Sequence, residues 1–156
     1  MTQAPTLTGQ DIGEAEGAVR ALLEGAIAGA GITANDYIVL RVLAARGPLT
    51  PPAALHEFLA GQRQLGLDRP AVADLLAGLE ARGLVAGTAP DVPGSARLTA
   101  EGTARHARLT EAVAPRTRQL FAGFDPDDLA TAHRVLAQVV ERAGHLAAEL
   151  QAGQMT

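Results

Sequence analysis

Apolar residues recur every three to four positions along most of the chain, and Gly and Pro punctuate the periods. The pattern predicts six helices and one short hairpin. Thr8 or Asp11 caps a first helix running to about Ala30, with Ile12, Ala15, Val19, Leu22, Leu23, Ala26 and Ile27 on one stripe. Its glycines each weaken it by roughly 1 kcal/mol relative to Ala, so it needs something to pack on. GITAND interrupts, and Asn35 or Thr33 caps a second helix, YIVLRVLAARG, ending at Gly47. Pro51 and Pro52 suit the first turn of a third helix, PPAALHEFLAG, stopped by Gly61. After QRQLGLD, Asp68 caps a fourth that starts at Arg69 or Pro70 and ends before Gly83.

Residues 84–87 and 96–99 read as short strands around TAPDVPGS, a Pro/Gly-rich tip. Thr99 with Gly102 opens a fifth helix to roughly Phe121, and Pro115 inside it predicts a kink, because the ring removes a backbone donor. Asp125 caps the last helix and Pro126 takes its first position. Leu129, Ala132, Leu136, Val139, Val140, Ala143, Ala147 and Leu150 share one face of it. Long apolar stripes at both ends of the chain suit packing against a second copy, so a homodimer is expected.

Composition narrows the class. At 156 residues the chain makes one domain, 1–156, with a core that needs neither disulfide nor metal. Cysteine is absent, which removes thiolate chemistry. The first residues lack the basic start and apolar stretch of a signal peptide, and no run of about 18 apolar residues appears. A soluble cytoplasmic protein without a membrane partner is expected. All 13 basic residues are Arg, and the net charge is -4. An acidic chain still binds nucleic acid when its cations gather on one face, so their placement decides.

Three stretches, GITANDYIVLRVLAARGPLT, GLDRPAVADLLAGLEARGLV and RLTAEGTA, together resemble the MarR family of winged-helix regulators over about residues 31–150. LEARGLV followed by a hairpin and LTAEG is the specific part. The resemblance implies a mainly α fold: a winged helix-turn-helix lobe, 34–98, with a two-stranded wing, and dimerisation helices at 8–30 and 99–150. It also implies a recognition helix at 70–82 and a wing at 86–96, release of DNA on binding a small aromatic or anionic molecule, and no cofactor.

The departures fall where DNA would be touched. Where the family commonly offers Ser, Thr and Arg, this chain has Pro70, Ala71, Ala73, Asp74, Ala77 and Gly78. Ala and Gly cannot hydrogen-bond base edges, and a lost bidentate Arg–guanine pair costs about 1–3 kcal/mol of discrimination. The hairpin offers only Arg97, at its base. Residues 50–100 hold Arg63, Arg69, Arg82 and Arg97 against Glu57, Asp68, Asp74, Glu80 and Asp91, so counterion release from phosphates contributes little. Expected DNA contacts are Arg69, Ala73, Asp74 and Arg97. By the same resemblance about seven extra residues separate Thr50 from Arg69, within His56 to Gln64.

Candidate chemistry is sparse. HEFLA at 56–60 begins like a zinc-protease helix but has Ala60 where the second His belongs, so no metal is expected. His56 and Glu57 point about 100° apart on a helix and remain candidates for acid–base work only if the chain is an enzyme. Residues 97–118 are locally basic, and Arg105 or Arg108 suits a planar anion, with His106 between them. Tyr37 and Phe58 are two of only four aromatics. The candidate ligand set is therefore Tyr37, His56, Phe58, Arg105, His106 and Arg108, each of which is equally at home in a core or on a solvated face. His133 and His145, twelve apart, share no turn. Two functional readings stand: a ligand-responsive regulator with weak or altered DNA binding, and a repurposed protein of the same fold that no longer binds DNA and sequesters a ligand or acts as a cofactor-free enzyme.

Overall fold

The computed structural model describes residues 5–154. The order is α1 (Gly9–Ile27), α2 (Ala34–Arg46), α3 (Pro52–Ala60), a 3-10 turn (Arg63–Leu65), α4 (Arg69–Ala81), β1 (Val85–Ala86), β2 (Arg97–Leu98), α5 (Ala100–Phe121) and α6 (Pro126–Gln154). It divides into two compact units, one up to Thr117 and one from Arg118.

The helix starts follow local hydrogen bonding. Thr8 and Thr33 each form a reciprocal capping box, with Asp11 and Asp36 respectively, which satisfies otherwise orphaned backbone donors. Asp68 accepts from Ala71 N at 2.9 Å to start α4. Before α5, the Thr99 hydroxyl accepts from Gly102 N at 2.9 Å and donates to Gly83 O at 2.6 Å. The first helix stops at Ile27, short of Ala30, because Gly29 and Gly31 take left-handed backbone angles. Helix α5 is continuous through Pro115.

The first unit is built on α2, whose Tyr37, Ile38, Val39, Leu40 and Leu43 are all buried. Leu55 and Leu59 of α3 and Val72, Leu76 and Leu79 of α4 meet them, and each fully buried side chain contributes about 1.5–3 kcal/mol. The strands pair antiparallel, Val85 with Leu98 and Ala86 with Arg97, and Leu49 bridges to Ala96 beside them. Buried Asp36 also pairs with Arg82 at 3.0 Å, joining the start of α2 to the end of α4.

The helix-turn-helix is distinguished by its long turn. Helix α3 includes His56 to Ala60, and eight residues, 61–68, link it to α4. Gly66, at φ 62, closes the 3-10 turn in a left-handed conformation that favours Gly, and Leu65 buries itself in the core. In the second unit, α6 has no buried residue; Leu136, Val140 and Leu150 of its apolar stripe are exposed. Among the described residues no helix is long and apolar enough to cross a membrane.

Candidate functional site

On α4 the stripe Val72, Leu76 and Leu79 is buried, with Leu75 partly so, which leaves Pro70, Asp74, Ala77 and Gly78 exposed and Ala71 and Ala73 at the margin. Arg69 is exposed at the first position of the helix. Arg82, one residue past its end, is engaged by Asp36 and by the carbonyls of Gly31 and Gly78. Of the expected DNA contacts, Arg69 and Asp74 thus lie outward, Ala73 is half-buried, and Arg97 sits at the foot of the wing with one nitrogen 3.5 Å from Ser95 O.

The base of the wing is tied down from two helices. Glu80 of α4 accepts from Gly87 N at 3.0 Å, from Thr88 N at 3.4 Å and, over a short bond, from the Thr88 hydroxyl. That hydroxyl holds the Glu80 carboxyl below its usual value; burial works against it, and the backbone donors and Arg97 reinforce it. From α3, His56 Nε2 lies 2.6 Å from Thr88 O. His56 is therefore a structural link to the wing, and its neighbour Glu57 is exposed. Phe58 lies under Arg46, whose guanidinium carbon is 4.0 Å from the ring centre.

The clefts among the described residues of the first unit include two that bear on a ligand. The smaller, about 140 Å³, is lined by Glu16, Val19, Arg20 and Leu23 of α1, Ile38 and Arg41 of α2, and Gln64 of the turn before α4. Arg20 holds Glu24 at 3.1 Å, Asn35 Oδ1 at 2.9 Å and Gln64 O at 3.4 Å. The larger, about 320 Å³, lies among Leu43, Ala44, Gly47, Pro48, Arg97, Leu98, Thr103 and His106. His106 stacks on Tyr37 with ring centres 5.9 Å apart, and both approach the Thr110 hydroxyl, at 3.4 and 3.5 Å. Burial, and then the nearby Arg41 charge, hold the His106 imidazole below its ordinary value.

The sequence candidates therefore disperse. Tyr37 and His106 come together beside the larger cleft, whereas Arg105 donates to Ala30 O at 2.7 Å and Arg108 pairs with Glu101 at 3.1 Å on an exposed face. His56 and Phe58 line neither cleft. Arg20, Arg41 and Gln64 were not singled out by the sequence. One signal existed: Tyr37 and Arg41 are four apart, hence on one face of α2. Among the described residues no three His, Asp or Glu side chains gather as a metal site would need.

No family profile matches the chain, and no curated protein matches it in sequence. Solved structures do match. Ligand-free NadR is 23% identical with a TM-score of 0.73, covering 90% of this chain and 98% of NadR. NadR is also known in complex with 4-hydroxyphenylacetate. PcaV, a transcriptional regulator of Streptomyces coelicolor solved with its natural ligand, is 25% identical with a TM-score of 0.68, covering 92% and 99%. A MarR family protein of Mycobacterium tuberculosis in complex with salicylic acid is 24% identical with a TM-score of 0.59, covering 86% and 99%. The chain has the winged-helix fold of the MarR-family regulators.

Proposed function

We propose that this chain, which shares the MarR winged-helix fold, is a homodimeric, ligand-responsive transcriptional regulator of the cytoplasm that takes a small organic anion and grips DNA weakly. The observation that carries the ligand half is the cleft between α1 and α2. Arg20 and Arg41 flank an apolar wall of Val19, Leu23 and Ile38, a combination that fits a carboxylate or phenolate on a small ring. Tyr37 and His106, beside the larger cleft, are the second candidate lining. The ligand complexes of NadR and of the Mycobacterium tuberculosis protein support an aromatic acid as the class.

The apolar stripe of α6 supports the dimer. Val140 is 74% and Leu150 69% exposed, and such a face on a long helix calls for a matching one. Weak DNA binding rests on α4, where the only charged residues from Pro70 to Ala81 are Asp74 and Glu80. Arg63, Arg69 and Arg97 remain as exposed cations for phosphates.

That same bare face favours a second reading, a repurposed fold that no longer binds DNA and sequesters its ligand or transforms it without a cofactor. Titration against the chain's own upstream DNA at low and physiological salt separates the two. Nanomolar binding that survives the higher salt removes the second reading; no retardation even at low salt removes the first. Asp74→Arg with Gly78→Arg is expected to raise DNA affinity. Native mass spectrometry with salicylate and 4-hydroxyphenylacetate tests the cleft, and Arg41→Gln is expected to weaken whichever binds.

A further inference from the structure

Helix-turn-helix pairs are usually joined by about three or four residues, and here eight residues, 61–68, intervene. This longer turn is held at two points. Leu65 is buried in the core, and Gln64 O accepts from Arg20 of α1 at 3.4 Å. The 3-10 bonds, Leu65 N to Gln62 O and Gly66 N to Arg63 O, leave the Gln64 carbonyl to Arg20. The same guanidinium binds Asn35 Oδ1 at the start of α2, so one side chain ties two helices and the turn together. Arg20 and Gln64 also line the cleft that holds Arg41.

We infer that Arg20 is a latch operated by the ligand: a small organic carboxylate entering the α1–α2 cleft draws the guanidinium off the Gln64 carbonyl and frees the turn that leads into α4. The inference rests on the reading of that cleft as the ligand site. A carboxylate adds opposite charge that a neutral carbonyl lacks, and the fork geometry of Arg favours two-point contact with it. The Gln64 bond is the longest of the three that Arg20 makes, so it yields first. Arg41 offsets the repulsion of Glu16 on the same wall. Asp68 and Arg69, the cap and first residue of α4, follow the freed turn directly, so the effect reaches the outward face of that helix. Because coupling is reciprocal, a looser turn also raises affinity for the anion.

The test is amide hydrogen exchange on the full chain with sodium salicylate as probe and calorimetry alongside. Salicylate is expected to speed exchange at Leu65 and Gly66 about fivefold, the factor that loss of one ordinary hydrogen bond gives, with Leu76 and Leu79 unchanged. Arg20→Gln is expected to exchange fast at those two amides without salicylate and to gain nothing from it, its fold checked by circular dichroism. Salicylate binding that leaves or slows exchange at Leu65 and Gly66 overturns the latch alone. A folded Arg20→Gln variant with unchanged rates there does the same. No binding by salicylate or 4-hydroxyphenylacetate overturns the ligand-site reading and the latch with it.

Discussion

His56 Nε2 lies 2.6 Å from the carbonyl oxygen of Thr88, a bond from α3 to the foot of the wing between residues 32 positions apart. A carbonyl only accepts, so Nε2 carries the hydrogen and the tautomer follows from the partner. His56→Ala is expected to cost about 1 kcal/mol of stability and to speed amide exchange at Gly87 and Thr88. Urea denaturation and exchange measure the two effects; unchanged exchange at both amides would contradict the link.

Glu80 makes the complementary contact from α4, and its carboxyl is held below the usual value chiefly by the Thr88 hydroxyl. The unfolded chain therefore binds this proton at higher pH than the folded one. The stabilisation is present above the ordinary carboxylate pKa and is lost as pH falls through the folded value. Glu80→Gln is expected to flatten the acid limb of a stability–pH curve measured by urea titration. Thr88→Val, which removes the largest cause, moves the limb in the same direction.

His106 responds at milder pH. Its imidazole is held below the ordinary value by burial and then by Arg41, so the unfolded chain takes up that proton first on acidification. Stability is highest above the ordinary His pKa and declines as pH falls from there to the folded pKa, below which this contribution is constant. His106→Gln is expected to remove the decline. Arg41→Gln leaves the part due to burial, and melting temperatures across the window distinguish the variants.

Gly102, inside α5, passes so close to the loop after α4 that a Cβ there would lie 1.8 Å from Leu84 O. Thr99 N donates to that same carbonyl, so it cannot retreat without loss. Gly102→Ala is expected to destabilise by at least about 3 kcal/mol, well beyond its gain in helix propensity, as read by thermal unfolding. Gly78→Ala, with open space around its Cβ, is expected to be neutral or mildly stabilising and serves as the control.

The helices were largely legible because their causes are local. Thr33 with Asp36, Asp68 with Ala71, and Thr99 with Gly102 lie three residues apart, and the stripe Val72, Leu76 and Leu79 is a period of one helix. The candidate site was not. Arg20 meets Gln64 across 44 residues and Arg105 meets Ala30 across 75, and an arginine's spacing does not reveal which distant carbonyl receives it. Tyr37 and His106 were both named from the chain, but their stacking depends on how α2 and α5 cross.

By itself, then, the chain determined its elements and the chemical character of each surface, including the absence of any cation from Pro70 to Ala81, because periodicity, capping and charge are written residue by residue. The tertiary structure alone decided which arginines are spent on carbonyls and carboxylates of the fold and which face a cleft. Long side chains reach partners that only packing brings near.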